Sequence, residues 1–134
     1  MQIVLNNQPG EKQRVTQALD QFGRDHHLSA AVVQAADLAL EEHLTNLMNY
    51  SFLDNREHQI KVRLTLASQF IIEVEDDGPP FNPLDAPAVD TTMPLEQRPI
   101  GGLGIHLMRR FMDEIEYESE GGKNVLRMRK RLTD

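Results

Sequence analysis

Two neighbouring segments near the middle of the chain alternate apolar and polar residues with a period of two. Their apolar positions are Ile60, Val62, Leu64 and Leu66 in the first segment, and Phe70, Ile72 and Val74 in the second. Such alternation is typical of β-strands that bury one face, and the short polar turn at Ser68-Gln69 favours an antiparallel hairpin. The chain must therefore supply other elements that cover the apolar face of this hairpin.

Two helical patterns precede the hairpin and can supply that cover. One face of the first pattern is formed by Val15, Leu19, Phe22 and His26. This spacing predicts an amphipathic helix that begins near Pro9 and ends at about His27. Ser29 is a suitable N-cap for a second, longer helix. The apolar face of that helix is formed by Val33, Ala36, Leu40, Leu44 and Leu47.

The two ends of the chain have the patterns of further strands. The run at 3–5 predicts a first strand, and segments 115–118 and 125–129 predict a closing hairpin that turns at Gly121-Gly122. A third segment with the apolar spacing of a helix begins at Ile105. Helices combined with largely antiparallel strands predict an α/β fold, a two-layer sandwich of a mixed, mainly antiparallel sheet covered by about three helices.

Charge and cysteine content exclude several classes of function. The 134 residues include 14 basic and 21 acidic side chains, a net charge of −7. This balance argues against direct nucleic-acid binding, which depends on cationic contacts to phosphate. In the closing hairpin we expect the pairs Glu116–Arg127 and Glu114–Arg129, which favour sheet contacts over a nucleic-acid patch. The absence of cysteine excludes thiol catalysis and Cys-based zinc sites.

No segment has the pattern of a targeting or membrane-spanning sequence. Residues 1–9 contain neither a basic nor an apolar region of the signal-peptide type. No apolar run approaches the roughly 18 residues of a membrane span. We therefore expect one cytoplasmic domain over residues 1–134, without membrane contact.

Asp76 is the first candidate site residue. It has the same parity as Phe70, Ile72 and Val74, so in a regular strand it points toward the core. A buried carboxylate is costly unless it is paired or hydrogen-bonded. The alternative is that the strand ends at Glu75 and that residues 76–78 form a plain turn.

The second helix carries a polar stripe formed by Glu42, Asn46 and Asn49. On a helical wheel Asn46 lies about 40° and Asn49 about −20° from Glu42, and this stripe lies roughly opposite the apolar stripe of Leu40, Leu44 and Leu47. A carboxylate one turn from two carboxamides can hold a divalent cation and accept a proton. The alternative is a solvated helix face.

Six of the seven prolines lie between Pro79 and Pro99. Loops longer than about 12–15 residues are usually functional lids or disordered segments, and we expect a lid over about 77–104. It ends in Gly101-Gly102-Leu103-Gly104 before a helix, where backbone amides can approach a phosphate. The alternative is a flexible loop end, but the carboxylate, the lid and the glycines together favour a nucleotide pocket.

The order of three motifs resembles the N, G1 and G2 boxes of the GHKL ATPases. The motifs are Glu42-His43-Leu44-Thr45-Asn46, Asp76-Asp77-Gly78-Pro79-Pro80-Phe81 and Gly101-Gly102-Leu103-Gly104-Ile105. Within that superfamily the chain is most similar to the small anti-sigma-factor serine kinases of the RsbW type. The resemblance implies the histidine kinase-like ATPase (Bergerat) fold.

The resemblance also implies roles for single residues. Asn46 is expected to bind Mg²⁺ and bridge it to the ATP phosphates, and Glu42 to act as the general base. Asp76 is expected to accept a hydrogen bond from the adenine amino group. The remaining nucleotide-binding residues are expected to be Asn49, Gly78, Phe81, Gly101, Gly102, Leu103, Gly104 and Ile105.

The function implied is an ATP-dependent serine/threonine protein kinase. In the family such a kinase phosphorylates an anti-sigma-factor antagonist, binds a sigma factor and forms a homodimer. The alternative is a nucleotide-dependent protein-binding switch without phosphotransfer. Two positions depart from the family pattern, because Pro80 stands where many members have a second glycine and His43 follows the glutamate in place of a small residue. The sequence contains no phospho-acceptor histidine domain, which argues against a two-component autokinase.

Overall fold

The computed structural model describes residues 1–8, 10–48, 56–80, 82–85 and 108–132. Within these ranges, five strands and two long helices are ordered along the chain as β1 (Gln2–Asn6), α1 (Glu11–Asp25), α2 (Ala30–Asn46), β2 (Gln59–Leu66), β3 (Gln69–Asp76), β4 (Glu114–Glu120) and β5 (Lys123–Arg131). A 3₁₀ turn at Pro83–Asp85 follows β3, and residues 108–111 are α-helical. Among these residues, no helix is long and apolar enough to cross a membrane.

The five strands form one sheet in the order β1-β2-β3-β5-β4. All four pairings are antiparallel, where we expected a mixed, mainly antiparallel sheet. The predicted hairpin of β2 and β3 is confirmed, and β3 lies at the centre of the sheet between β2 and β5. The predicted α/β class and the sheet with its helical cover are thereby confirmed.

The alternation of the strands separates the two faces of the sheet. On β3 the even positions 70, 72, 74 and 76 are buried and the odd positions are half-buried. The buried face packs against the helices in a single apolar cluster that includes Phe22 of α1, Leu44 of α2 and Phe70 of β3. Phe22 and Phe70 stack with their ring centroids 5.4 Å apart.

Single residues determine where α2 begins and how closely α1 and α2 pack. Ser29 has an extended backbone, and its hydroxyl oxygen accepts a hydrogen bond from the Val32 amide, which confirms the predicted N-cap. A Cβ atom at Gly23 of α1 would lie 2.6 Å from Val33 Cγ2 of α2. The glycine therefore permits a close contact between the helices that no larger residue would allow without a shift.

The closing hairpin has the predicted turn and register. Gly121 and Gly122 both have positive φ angles, 61° and 77°, a backbone conformation in which glycine carries no steric penalty. Glu116 lies opposite Arg127 and Glu114 opposite Arg129, as predicted. The basic residues of β5 are thus placed against an acidic strand.

One row of residues across the sheet is important for the site. Leu5, Ile60, Asp76, Asn124 and Ser119 are consecutive cross-strand partners from β1 to β4. The row crosses all five strands at the end of the sheet where β3 stops and β5 starts. We call it the site row.

Candidate functional site

Asp76 is the last residue of β3 and is 3% exposed, so the prediction that it faces the core is confirmed. Its Oδ2 atom accepts hydrogen bonds from the Gly78 amide at 3.0 Å and from Asn124 Nδ2 at 3.1 Å. The strand therefore continues to Asp76, and the turn that follows is closed by the side chain of Asp76. Among the described residues, both hydrogen-bond donors of this carboxylate are uncharged.

The electrostatic environment of Asp76 disfavours the ionised form. Burial raises the pKa of the Asp76 carboxyl, and the hydrogen bonds from Asn124 and Gly78 only partly oppose this shift. The neighbouring Asp77 adds to the increase, whereas His58 acts against it. A ligand that donates a hydrogen bond to the carboxylate would offset part of this cost.

Asn124 is a site residue that the sequence analysis missed. It is the second residue of β5, is 2% exposed and lies directly opposite Asp76. Besides Asp76, its Nδ2 atom donates to the carbonyl oxygens of Gly78 at 2.9 Å and Pro79 at 3.5 Å. Its parity with the apolar Leu126 and Met128 was a signal in the sequence that a polar side chain points inward there.

The C-terminal part of α2 holds the second group of predicted residues. Asn46, the last residue of α2, is 4% exposed, and Glu42 is half-buried. The alternative of a solvated helix face is therefore wrong for Asn46. The helical wheel placed Asn46 away from the apolar stripe, but the buried face of α2 is wider than predicted. It consists of Val32, Ala35, Ala36, Ala39, Leu40, His43, Leu44 and Asn46.

This end of α2 and Asp76 lie at the same end of the molecule. Lys12 near the start of α1 donates from Nζ to Thr45 Oγ1 at 3.2 Å, which places the end of α2 beside the start of α1. The start of α1 lies at the end of β1, because the Asn6 amide donates to Glu11 Oε1 at 3.4 Å. Asn6 in turn pairs with Gln59, in the row next to the site row and at the same end of the sheet.

His43 lies between Glu42 and Asn46 in the sequence of α2, and its side chain is in the core. It is 1% exposed, and among the described residues its Nδ1 atom has no hydrogen-bond partner. Burial lowers the pKa of His43 to about 4. The imidazole is therefore neutral at pH 7 and acts as a core side chain.

Asp77 points away from the site row, although it follows Asp76 directly. It is exposed, and its Oδ1 atom lies 3.0 Å from His58 Nδ1 and accepts from the Gln59 amide at 3.3 Å. These residues border a cavity of about 430 Å³ that Glu11 and Glu57 also line. The two adjacent aspartates thus have separate surroundings, one buried and one at the surface.

Several predicted site residues lie outside the described residues. They are Asn49, Phe81, Gly101, Gly102, Leu103, Gly104 and Ile105, together with most of the predicted lid. Their roles stay predictions. Among the described residues, no three His, Cys, Asp or Glu side chains form a metal-binding group. Asn46 fits the expected Mg²⁺ site in its chemistry, because this ion prefers oxygen ligands and takes several of them from phosphates and water.

Comparison with protein families gives one match that spans nearly the whole chain. The model of the histidine kinase-like ATPase domain matches residues 5–130. This range contains all three motifs, the site row and the C-terminal part of α2.

Two curated relatives have names that describe a kinase. The serine/threonine-protein kinase BtrW of Bordetella bronchiseptica is 28% identical over 92 residues, which are 66% of this chain and 63% of that protein. The serine-protein kinase RsbW of Bacillus velezensis is 26% identical over 98 residues, which are 69% of this chain and 61% of that protein. The match therefore spans less than two thirds of either relative.

Solved structures share the fold at low sequence identity. The RsbU and RsbW domains of a Mycobacterium tuberculosis protein align over 98% of this chain and 31% of theirs, with a TM-score of 0.71 and 14% identity. The histidine kinase domain of a blue-light-activated kinase from Erythrobacter litoralis aligns over 90% of this chain and 59% of its own, with a TM-score of 0.54 and 15% identity.

Proposed function

Because the chain belongs to the histidine kinase-like ATPase domain family, we propose that it binds ATP and transfers the γ-phosphoryl group to a serine or threonine of a partner protein. The observation that carries the proposal is Asp76, a carboxylate 3% exposed whose described donors are both uncharged. The kinase names of two relatives that are 26–28% identical support phosphotransfer over a binding-only role.

Asp76 supplies the selectivity for the base. Both of its hydrogen bonds within the described part of the chain are accepted by Oδ2, which leaves Oδ1 to accept one from the exocyclic amino group of adenine. A base with an oxo group at that position would face the carboxylate acceptor to acceptor. A site built around a buried polar group discriminates strongly against such a ligand.

Asn46 and Glu42 are the residues that we assign to the reacting phosphate. Asn46 would hold Mg²⁺ through its carboxamide oxygen. The ion, when bound, neutralises charge on the phosphates. Glu42 lies one turn earlier on α2 and is half-buried. Its carboxylate would take the proton of the partner hydroxyl as that oxygen attacks the γ-phosphorus and ADP leaves.

The proposed partner is an anti-sigma-factor antagonist, with a sigma factor as a second partner and a homodimer as the assembly. The support for these parts is the resemblance of segments 101–118 and 121–132 to the RsbW type and the name of one relative. They are tested by mixing the purified chain with antagonist-type proteins of the same genome and measuring both phosphorylation and the mass of the complex in solution.

Glu42→Gln distinguishes a kinase from a binding switch. The wild type is expected to gain about 10 °C in melting temperature with Mg²⁺-ATP at roughly 100 times its Kd, and to transfer ³²P to the antagonist. The variant should keep the thermal shift and lose transfer by at least ~100-fold, because a general base contributes about that much or more. Undiminished transfer would exclude Glu42 as the base. No shift in the wild type would overturn the proposed function, and a shift without any transfer would establish the binding switch.

A further inference from the structure

Two hydroxyl groups on the edge strand β4 contact the far end of the Asn124 side chain. Ser119 Oγ lies 2.7 Å and the Tyr117 hydroxyl 3.0 Å from Asn124 Oδ1. We propose that Ser119 and Tyr117 are positioning residues of the nucleotide site, which act on Asp76 through Asn124. The inference rests on the proposed function, in which Asp76 accepts a hydrogen bond from the base.

The chemistry of the neighbours determines which end of the Asn124 amide faces Asp76. An ionised carboxylate and the backbone carbonyls offer only acceptors, so the donor Nδ2 must lie on their side. Nδ2 contacts Asp76 Oδ2 at 3.1 Å and the Gly78 oxygen at 2.9 Å. The acceptor Oδ1 therefore lies toward β4, where it needs donors.

Ser119 and Tyr117 supply those donors. A carbonyl oxygen has two lone pairs, and the two hydroxyls fill both. Rotating the amide by 180° would place Oδ1 against the Asp76 carboxylate and the Gly78 carbonyl, acceptor against acceptor. Because Asn124 is 2% exposed, a polar atom left without a partner there carries a large desolvation penalty. The two hydroxyls thus make one orientation of the amide strongly preferred.

The consequence for Asp76 is a fixed carboxylate. Its Oδ2 atom is held by the Gly78 amide and by an Asn124 amide that cannot turn, so that Oδ1 is the atom presented to a ligand. The hydrogen bonds run from β4 through β5 to the end of β3, along the site row. The geometry of the base-binding carboxylate is therefore controlled from the edge strand β4.

Removing the hydroxyls tests whether Ser119 and Tyr117 contribute to nucleotide binding. Ser119→Ala and Tyr117→Phe should each weaken Mg²⁺-ATP binding about 5-fold in calorimetric titration, since one hydrogen bond to Oδ1 is lost. The double variant should lose more than about 10-fold, because the amide is then free to turn. Ser68→Ala, in the exposed turn between β2 and β3, is the matched control and should bind ATP as the wild type does.

Asn124→Asp tests, through a pH profile, whether the side chain at position 124 acts on Asp76. Besides the new carboxylate, the charged groups among the described residues that act on Asp76 electrostatically are Asp77 and His58. Two carboxylates in contact disfavour simultaneous ionisation, so the pair should share a proton, and the ATP affinity of this variant should fall with rising pH where that proton is lost. Wild type and Asn124→Ala should show no such pH dependence over this range, although Asn124→Ala should bind more weakly throughout. A purely structural role would lower the melting temperature without creating a pH dependence.

The outcomes separate this inference from the proposed function. If the wild type binds ATP, Asp76→Asn does not, and the hydroxyl variants and Asn124→Asp bind as the wild type does at every pH, the positioning role is wrong and the nucleotide site stands. If the wild type itself does not bind ATP, the proposed function fails. Weakened binding in hydroxyl variants that remain folded at the titration temperature, together with the pH-dependent loss in Asn124→Asp, is the result that we expect.

Discussion

Asp76 and Glu73 are carboxylates on the same strand, three residues apart, and their surroundings are opposite. Glu73 lies on the outer face of the sheet, where its Oε2 atom accepts from Arg127 Nε at 3.2 Å and Nη2 at 2.9 Å. Asp76 lies on the inner face, and its described donors are an amide of the backbone and a carboxamide. A carboxylate that faces a guanidinium is satisfied within the chain, whereas a buried one that faces neutral donors gains from a ligand.

Glu73 is the first member of a ladder of ion pairs that continues through Arg127, Glu116, Arg129 and Glu114. Arg127 also pairs with Glu116 at 3.6 Å, and Arg129 contacts both Glu116 and Glu114 on β4. The hydrogen bond to Glu73 raises the pKa of Arg127. Each charge of this ladder has a partner of opposite sign. The ladder therefore explains the acidic and basic arms of the closing hairpin as sheet structure, in agreement with the sequence analysis.

The largest effect is expected when Asp76 is replaced by its carboxamide, asparagine. Asp76→Asn should weaken ATP binding at least ~100-fold, because the base loses a charged acceptor. Without ATP its melting temperature should be unchanged or higher. The reason is that burial raises the pKa of Asp76, so the stability this group contributes declines as the pH rises above its unfolded pKa, and at pH 7 the charge is a cost. Isothermal titration and thermal melts measure both quantities.

Glu73→Gln is the control for that experiment. It should bind ATP as the wild type does and lose a little stability. Equal loss of ATP affinity in both variants would break the comparison between the two carboxylates, because it would show a general effect of removing a charge from β3.

His43 is a second buried group that has no charged partner among the described residues, and it should give the next largest effect. Burial lowers the pKa of His43 to about 4. The unfolded chain therefore takes up a proton near pH 6.5, whereas the folded chain does so only near pH 4. The free energy of unfolding should fall by roughly 2 kcal/mol between pH 7 and pH 5 from this residue. Subtracting the pH profile of His43→Gln from that of the wild type isolates the contribution. Parallel profiles would contradict the low pKa.

The smallest effect is expected for the ion pair on the outer face. A double-mutant cycle with Glu73→Gln and Arg127→Met should give a coupling energy below about 1 kcal/mol at low salt, since partly exposed pairs contribute little. The coupling should decrease further in 1 M salt because the charges are screened. A coupling of several kcal/mol would show that this pair is a buried structural element, and the contrast with Asp76 would be weaker.

Much of the local structure followed from short-range patterns. The parity of Phe70, Ile72 and Val74 predicted the inward position of Asp76, and Ser29 predicted the start of α2. The glycine turn predicted the register that pairs Glu116 with Arg127. Each of these depends on residues within about 15 positions in the chain, where strand period, cap chemistry and turn length decide the geometry.

The errors arose where a side chain depends on what packs against it. The helical wheel predicts that Asn46 faces away from the apolar stripe. The end of α2 is covered over a wider face than this stripe, and Asn46 and His43 are both buried. A single helix pattern describes polarity around its axis, but burial depends on how many neighbours surround it.

The sequence by itself placed Asp76 on the inward parity of β3, because alternation is a local property of the extended chain, and the structure decided that the strand continues to Asp76 and does not end at Glu75. Only the tertiary structure decided what surrounds that carboxylate. Asn124 lies 48 residues further along the chain, and it reaches Asp76 because β5 pairs with β3 and not only with β4, its neighbour in sequence. Ser119 and Tyr117 contact Asn124 across the β4–β5 hairpin, so the pairing of β5 with β3 brings them to the site as well. The physical reason is that strand order brings distant segments into register, and no local period specifies which strands become neighbours.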